Sequence, residues 1–474
     1  MIALNDFWAI FMVSASHHNT AARGNSPSTQ DTSPPIARDL PFGITTIIGG
    51  TNLRFSLSSP VDGSAIDTRV SWQDLLRDNS SLSAPADTLA TKRCAFQDIA
   101  RRFVSFIENN SEPHPHGPPL SQLHTLIFSV AGIVDGDKVS LTNVPLGIMR
   151  EDLAHEIISA INYELAGRGF EPSAPKVVVV VNDAVAGLMG ELKAGGLQSV
   201  RNGAFIILGT GVGGICCVNA APCLDLDELG HRLIVTAADR SVRIIVGNEI
   251  EPLLAGGSEF VALGEHEAYA EHYLAGPWVA TRFVKTIAQH GDALVDCLSR
   301  KLAFLHGLSD SGVRSGLDEI RGLPLKELHL WGQRAPSDIV RCVNQFLFTP
   351  DASDVIHAKR HRGSGQMTAA ETLTSIGYQS WRDYFELLGR CGGAISGALA
   401  QMGHPMERIV LGGGIGEACN HYPEIWKKHA YGVLHSSARL SPGSIIFSPM
   451  RAEERERAIA TTSIRDAIDA RVCH

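Results

Sequence analysis

Three times in this chain an apolar run that reads as a strand ends in a glycine-rich turn, and that recurrence constrains the fold more than any other feature. The fullest example reads A-F-I-I-L-G-T-G-V-G-G over residues 204–214. Residues 204–208 make the apolar run, and Gly209, Thr210, Gly211, Val212, Gly213 and Gly214 follow, four glycines in six residues. Without a Cβ the backbone there can turn tightly and come close to a ligand. Such a turn offers several N–H groups to one anion, and Thr210 adds a hydroxyl. Taken alone, a turn of this kind can equally do nothing but turn, because short glycine motifs recur without function. An earlier example has a strand over 43–48, then Gly49-Gly50-Thr51-Asn52-Leu53-Arg54, then a second hairpin strand over 55–59. The last has a strand over 408–411 followed by Gly412-Gly413-Gly414-Ile415-Gly416.

Between these turns strands alternate with helical patterns, which predicts an α/β protein. Residues 91–109 read as a helix with Phe96, Ile99, Phe103 and Phe106 on one face. A strand over 124–130 ends in Ala131-Gly132, and Asn143 lies in L-T-N-V-P over 141–145. A helix is expected over 150–165, with Leu153, Ile157, Ile161 and Leu165 buried. Residues 176–181 are an almost unbroken apolar run, the mark of a strand covered on both faces, and they stop at Asn182-Asp183. A carboxylate at the carboxyl end of a buried strand stands where ligands bind in open α/β sheets. The other role open to Asp183 is the N-cap of a helix over 184–192. Residues 225–231, D-L-D-E-L-G-H, carry three acids and a histidine, a pattern also found in plain solvated loops. Y-A-E-H-Y-L-A-G-P over 269–277 precedes an amphipathic helix. A helix over 381–402 has Leu388, Cys391, Ile395 and Leu399 at helical spacing, with Gly392 and Gly393 allowing close packing. Residues 308–373 are polar and weakly periodic, and the basic run Lys359-Arg360-His361-Arg362 reads as surface.

A chain of 474 residues has room for two or three domains. Its formal charge of −9 argues against nonspecific binding to nucleic acid or to an anionic membrane. The nine cysteines are scattered and form no C-x-x-C pair, which fits small buried hydrophobes in a reducing, cytoplasmic compartment. Residues 7–15 are apolar, but Asp6 and no Lys or Arg precede them, so no secretory signal is expected. Residues 16–40, rich in Ser, Thr, Asn and Pro, read as a disordered extension, and His114 and His116 read as solvated loop. There is no run of 18 apolar residues to span a membrane.

In their order these motifs resemble the glucokinase and ROK sugar-kinase group. G-G-T-N-L-R at 49–54 resembles that family's first phosphate motif, and L-G-T-G-V-G-G at 208–214 its second. E-L-G-H at 228–231 is similar to its sugar-binding E-x-G-H, and A-E-H-Y-L-A-G-P at 270–277 to the stretch supplying another sugar-binding Glu. V-L-G-G-G-I at 410–415 resembles the adenosine motif. The resemblance implies a two-lobed actin-like ATPase (ribonuclease H-like) fold, with mixed sheets flanked by helices and an interlobe cleft. The expected organisation is a disordered extension over 1–40, then a small lobe over 41–190 completed by about 455–474. A large lobe would span 191–454, with an insertion at about 308–373.

The implied activity is a glucokinase-like, glycolytic transfer of the ATP γ-phosphate to a hexose hydroxyl, glucose 6-OH first. Asp183 would be the general base, and Asn143, Asn182, Glu228, His231 and Glu271 would hold the sugar. Gly49, Gly50, Thr51, Asn52, Arg54, Gly209, Thr210, Gly211, Gly213, Gly412, Gly413 and Gly414 would hold the nucleotide with Mg2+. Expected partners are the sugar and ATP, with neither nucleic acid nor membrane, and a homodimer is compatible with the family.

Two departures stand out. The C-x-C-G-x-x-G-C zinc pattern of some ROK proteins is absent, because no cysteine lies between Cys223 and Cys297, so no zinc is expected. The family's first motif reads D-x-G-G-T, whereas this chain has Ile47 where that Asp would stand. Three alternatives follow: an active hexose kinase, a weakened kinase that binds sugar or nucleotide as a sensor, or an ATPase of the same fold without sugar chemistry. Glu228, His231 and Glu271 speak against the last.

Overall fold

A computed structural model describes residues 42–48, 52–58, 65–71, 89–110, 123–135, 138–140, 151–169, 177–246, 266–322, 337–348 and 368–451, with 454, 455 and 458. The chain divides into two units, one comprising Met1–Ala194 and Glu453–His474, the other Gly195–Ala452.

The first unit is built on strands β1 (Phe42–Ile48), β2 (Asn52–Ser58), β3 (Ala65–Ser71), β4 (Leu123–Val130) and β8 (Val177–Asn182), with the short β5 (Ile133–Asp135), β6 (Lys138–Ser140) and β7 (Glu151–Asp152) between them. The main sheet runs in the order β3-β2-β1-β4-β8. β1, β2 and β3 are antiparallel neighbours, while β1, β4 and β8 run parallel. Helix α1 (Leu89–Asn110) turns Phe96, Ile99, Phe103 and Phe106 onto Phe55 of β2, and the Phe55 ring lies 5.8 Å from those of Phe103 and Phe106. Helix α2 (Leu153–Gly167) adds Leu153, Ile157, Ile161 and Leu165 to the same core. Its N-terminus is capped by Asp152, which accepts from the His155 N–H at 3.0 Å. Each large apolar side chain buried here contributes about 1.5–3 kcal/mol.

Leu126, Phe128 and Val130 of β4 join this core. Ile127, Ser129, Val179 and Val181 are buried at the alternate positions, which face the other side of the sheet. β4 and β8 are therefore covered on both faces, as the unbroken apolar run of β8 predicts. Helix α3 (Asp183–Ala194) leaves β8 directly. Near its end Glu191 forms a buried ion pair with Arg455 of the returning chain, Oε1 to Nη1 3.4 Å, with both side chains almost inaccessible to solvent.

The second unit repeats the sheet plan. Strands β9 (Gly203–Leu208), β10 (Val212–Val218), β11 (Ala221–Cys223), β15 (Arg408–Gly412) and β16 (Ile445–Phe447) lie in the order β11-β10-β9-β15-β16. Again three strands are antiparallel neighbours and the last two are parallel to the first. A separate sheet, β13-β12-β14, joins β12 (Leu233–Thr236), β13 (Val242–Ile244) and β14 (Glu267–Tyr269). The helices are α4 (Leu229–Arg232), α5 (Glu271–Leu274), α6 (Gly276–Gln289), α7 (Asp292–His306), α8 (Asp310–Gly322), α9 (Ser337–Phe348), α10 (Ala369–Gln401), α11 (Gly413–Asn420) and α12 (Glu424–Ala438).

The fold class is α/β as expected, with mixed sheets flanked by helices in each of the two units. Two local expectations change. The stretch taken as weakly periodic supplies α8 and α9, whose Val313, Leu317, Ile320, Ile339, Val340, Val343 and Leu347 enter the main core of this unit. α10 begins twelve residues before the expected start at 381, behind a capping box formed by Thr368 and Glu371. Among the described residues no helix is long and apolar enough to cross a membrane. The expected disordered extension, His114, His116 and the basic run 359–362 lie outside the described residues.

Candidate functional site

In the first unit the parallel strands bring three motif ends into one row. Ile48, Val130 and Asn182 are register partners across β1, β4 and β8. The Ala131 N–H donates to the Ile48 carbonyl at 2.9 Å, and Asn182 Nδ2 donates to the Gly132 carbonyl at 2.8 Å. Asn182 Oδ1 accepts from the Ala184 N–H at 2.8 Å and from the Val185 N–H at 3.3 Å. Asn182, not Asp183, therefore caps α3, and Asp183 opens the helix as a partly exposed carboxylate at the end of β8.

Ile47 stands in register with Arg54 on β2 and with Ser129 on β4. The Ser129 hydroxyl is buried and makes no hydrogen bond among the described residues. Gly49, Gly50, Thr51 and Asn143 lie outside the described residues, and Asn52 enters only as the first residue of β2. Arg54 is partly exposed in that strand.

In the second unit four motifs converge on the carboxyl end of β9. The turn between β9 and β10 holds Gly209, Thr210 and Gly211, with the Gly209 N–H donating to the Gly211 carbonyl at 3.0 Å. Gly213 lies just inside β10, paired with Ile207. Gly230 packs backbone to backbone against the start of β10: a Cβ there would fall 1.9 Å from the Val212 carbonyl oxygen. The Gly276 N–H donates to the Gly209 carbonyl at 2.7 Å. Gly412 pairs with Ile207, and Gly413, at φ +78°, lies so close to β9 that a Cβ would come 2.6 Å from the Leu208 carbonyl oxygen. Gly209 and Gly414 differ from these. A Cβ at either would meet no heavy atom within 4 Å, so neither packing nor a left-handed φ requires glycine there. Open space where a side chain would stand is what the close approach of a ligand to the backbone needs.

Beside this turn sit two carboxylates and an imidazole. Glu228 precedes α4 in the left-handed region, φ 47° and ψ 43°, a conformation costing a non-glycine residue about 1 kcal/mol. Its carbonyl accepts from the His231 and Arg232 N–H groups at 2.9 and 3.2 Å. The loop before it is held by Arg232, which is buried and donates to the Asp227 carbonyl and to Asp227 Oδ1, both at 2.6 Å. His231 Nε2 lies 3.0 Å from Glu271 Oε2, and Nδ1 lies 3.7 Å from Glu228 Oε2.

Burial opposes a charge on His231, but the attraction of Glu271 and the contacts with Glu228 outweigh it and push its pKa up to about 10. The imidazole is therefore a cation at neutral pH. Glu271 Oε2 is sealed from solvent and has only this ionic contact, with no aligned hydrogen bond among the described residues. The pairing of β12 with β14, Ile234 opposite Tyr269, places the two halves of the trio together. The group combines carboxylate acceptors with charged N–H donors, a set suited to several hydroxyls at once.

Neither a family model nor a curated protein matches the chain. Solved structures do. A ROK family glucokinase from Streptomyces griseus in complex with glucose and AMPPNP matches at 15% identity and a TM-score of 0.46, over 88% of this chain and 98% of that one. A glucokinase from Balamuthia mandrillaris in complex with glucose matches at 12% identity and 0.43, over 98% and 100%. A ROK family transcriptional regulator, a homologue of the E. coli MLC protein, matches at 14% identity and 0.44, over 90% and 79%. These three matches to the chain are two glucokinases and a ROK family regulator. At such identities and scores they assign no activity to it.

The sequence motifs give no sign of Arg232 holding the Glu228 loop, nor of Asn344 on α9, whose Nδ2 donates to the Gly276 carbonyl at 3.0 Å. The first could be sought in the D-x-x-x-x-R spacing from Asp227. The second had no signal beyond the helical spacing of its apolar neighbours.

Proposed function

We propose that this chain is an ATP-dependent sugar kinase, transferring the γ-phosphate to a hexose hydroxyl, with the glucose 6-OH as first candidate. The observation that carries the reading is the Glu228–His231–Glu271 group beside the glycine turn of β9 and β10. A nucleotide-binding turn alone would serve any ATPase, whereas this trio has the chemistry of a hydroxyl site.

Glu228 and Glu271 accept hydrogen bonds from the sugar, and His231, held as a cation, donates to it. Asp183 takes the proton of the attacking hydroxyl. Asn182, occupied with Gly132 and the cap of α3, holds Asp183 in place rather than binding sugar itself. Thr210 and the backbone N–H groups of the turn receive phosphate oxygens, and Gly209 leaves them room. Transfer of this type depends mainly on position and charge, so these donors do most of the work.

Among the described residues no group of three His, Cys, Asp or Glu side chains is arranged to hold a metal ion. Glu228, His231 and Glu271 pair with one another, and an isoleucine occupies position 47. Ile47 favours a second reading, a sugar- or nucleotide-binding sensor whose transfer is weakened.

An ADP-release assay across a panel of hexoses, paired with glucose calorimetry, separates the two. A kinase releases ADP only with its sugar, and Asp183→Ala abolishes release while leaving the glucose Kd within about threefold. Glucose binding without ADP release from the wild type would favour the sensor, and sugar-independent ATP hydrolysis would remove both.

A further inference from the structure

The 308–373 segment has no counterpart among the motifs that carry the family resemblance, yet a side chain from it supports the glycine turn. Asn344 of α9 donates from Nδ2 to the Gly276 carbonyl at 3.0 Å. The Gly276 N–H donates to the Gly209 carbonyl at 2.7 Å, and the Gly209 N–H to the Gly211 carbonyl at 3.0 Å. Three hydrogen bonds thus run from α9, through the first residue of α6, into the turn. The fit is close: a Cβ on Gly276 would lie 2.9 Å from Asn344 Nδ2 and 3.1 Å from the Gly209 carbonyl oxygen. Asn344 Oδ1 is buried and accepts no hydrogen bond among the described residues. An apolar side chain would avoid that unmet acceptor, so what the amide contributes here is its one donor.

We propose that Asn344 is a positioning residue for the turn over 209–214, holding Gly209 in the conformation that receives the nucleotide phosphates. The ligand's identity rests on the kinase reading; the hydrogen-bond chain does not. α9 packs on α6, so a shift of this helix is felt at Gly276 and passed to the turn.

The test uses the full chain with Asn344→Asp, which keeps the shape and removes the donor, and Asn344→Leu, which keeps the volume. Amide hydrogen exchange over 209–214 is expected to accelerate at least fivefold, while β12 and α10 exchange as in the wild type. The AMPPNP Kd should weaken roughly tenfold, about what one hydrogen bond supplies, with the glucose Kd within twofold. Wild-type exchange over 209–214 in both variants would overturn the proposal. So would acceleration spread evenly over the unit, which marks a merely structural role. If the wild type binds neither AMPPNP nor glucose, the kinase reading fails, and exchange over 209–214 alone decides whether Asn344 sets the turn.

Discussion

Gly230→Ala tests the join between the E-L-G-H segment and the glycine turn. A Cβ at 230 would lie 1.9 Å from the Val212 carbonyl oxygen and 2.9 Å from its carbon, where ordinary contact begins near 3.4 Å. One of the two backbones must yield by about 1.5 Å, since neither can rotate aside as a side chain would. Val212 is held by its pairing with Leu208, and Gly213 by Ile207. The part that gives is α4, four residues long and entered through a strained Glu228. α4 carries His231, so the 3.0 Å contact with Glu271 would open to roughly 4 Å or more. Overpacking of this kind costs about 1–3 kcal/mol, or about 2–4 °C in Tm for each kcal/mol in a unit of this size. Misplacing a binding group by about 1 Å costs on the order of a hundredfold in function. Calorimetry with glucose and a thermal melt read both effects. Gly209→Ala is the counterpart: with no atom within 4 Å its Tm should stay as in the wild type, while AMPPNP binding weakens at least tenfold. A Gly230→Ala protein that melts and binds glucose like the wild type would refute the coupling.

The remaining predictions concern charge. His231 is raised above its ordinary value of about 6.5 by Glu271 and Glu228, so the stability it contributes is fully present below that pH and is lost as pH rises through about 10. Thermal melts between those values should show a decline that Glu271→Gln flattens; parallel curves would exclude the coupling. Arg455→Met removes the buried partner of Glu191 and should cost about 3–5 kcal/mol in urea unfolding, much of it recovered in the double variant Glu191→Leu/Arg455→Met. Equal stability of the single variant and the wild type would show that the pair contributes nothing. Ile47→Asp should raise kcat by about tenfold or more, because a carboxylate there would help hold a Mg2+ that offsets the phosphate charge. An unchanged kcat would remove position 47 from the reaction.

How far the sequence reveals the site depends on how local each signal is. The turn at 209–214 and the strand ending at Asn182-Asp183 are legible because apolar runs and glycines are contiguous. Which of Asn182 and Asp183 caps α3 is not legible, since both side chains cap well; the Gly132 carbonyl decides it by engaging Asn182. The His231–Glu271 contact joins residues forty positions apart through β12 and β14, and no local pattern announces that pairing. The motif resemblance alone suggests it. α8 and α9 escape notice because Val313, Leu317, Ile339 and Val343 are diluted among polar residues that coat their outer faces. The start of α10 was visible in T-A-A-E at 368–371, a capping box that the weak apolar pattern before Trp381 obscures.

The repeated sheet plan explains why the motifs fall where they do. In each unit the first two strands pair antiparallel, with glycines in the sequence between them, at 49–50 in one and at 209 and 211 in the other. The neighbouring parallel strand ends at Ala131-Gly132 in one and at Gly412-Gly413 in the other, each pressed onto the end of its first strand. From that common frame the units diverge. The outer parallel strand runs into Asn182-Asp183 in the first unit, but into Ser448 in the second, where the Ser448 N–H is bound to the Leu411 carbonyl. The β12–β14 sheet that sets Glu228, His231 and Glu271 together belongs to the second unit, inserted between β11 and β15. In the proposed mechanism proton removal and hydroxyl recognition thus have separate structural origins, one at a strand end and one in an inserted sheet. In that mechanism Ile47 bears on phosphate transfer and not on the Glu228–His231–Glu271 group, so glucose calorimetry is expected to register binding whatever the rate of transfer.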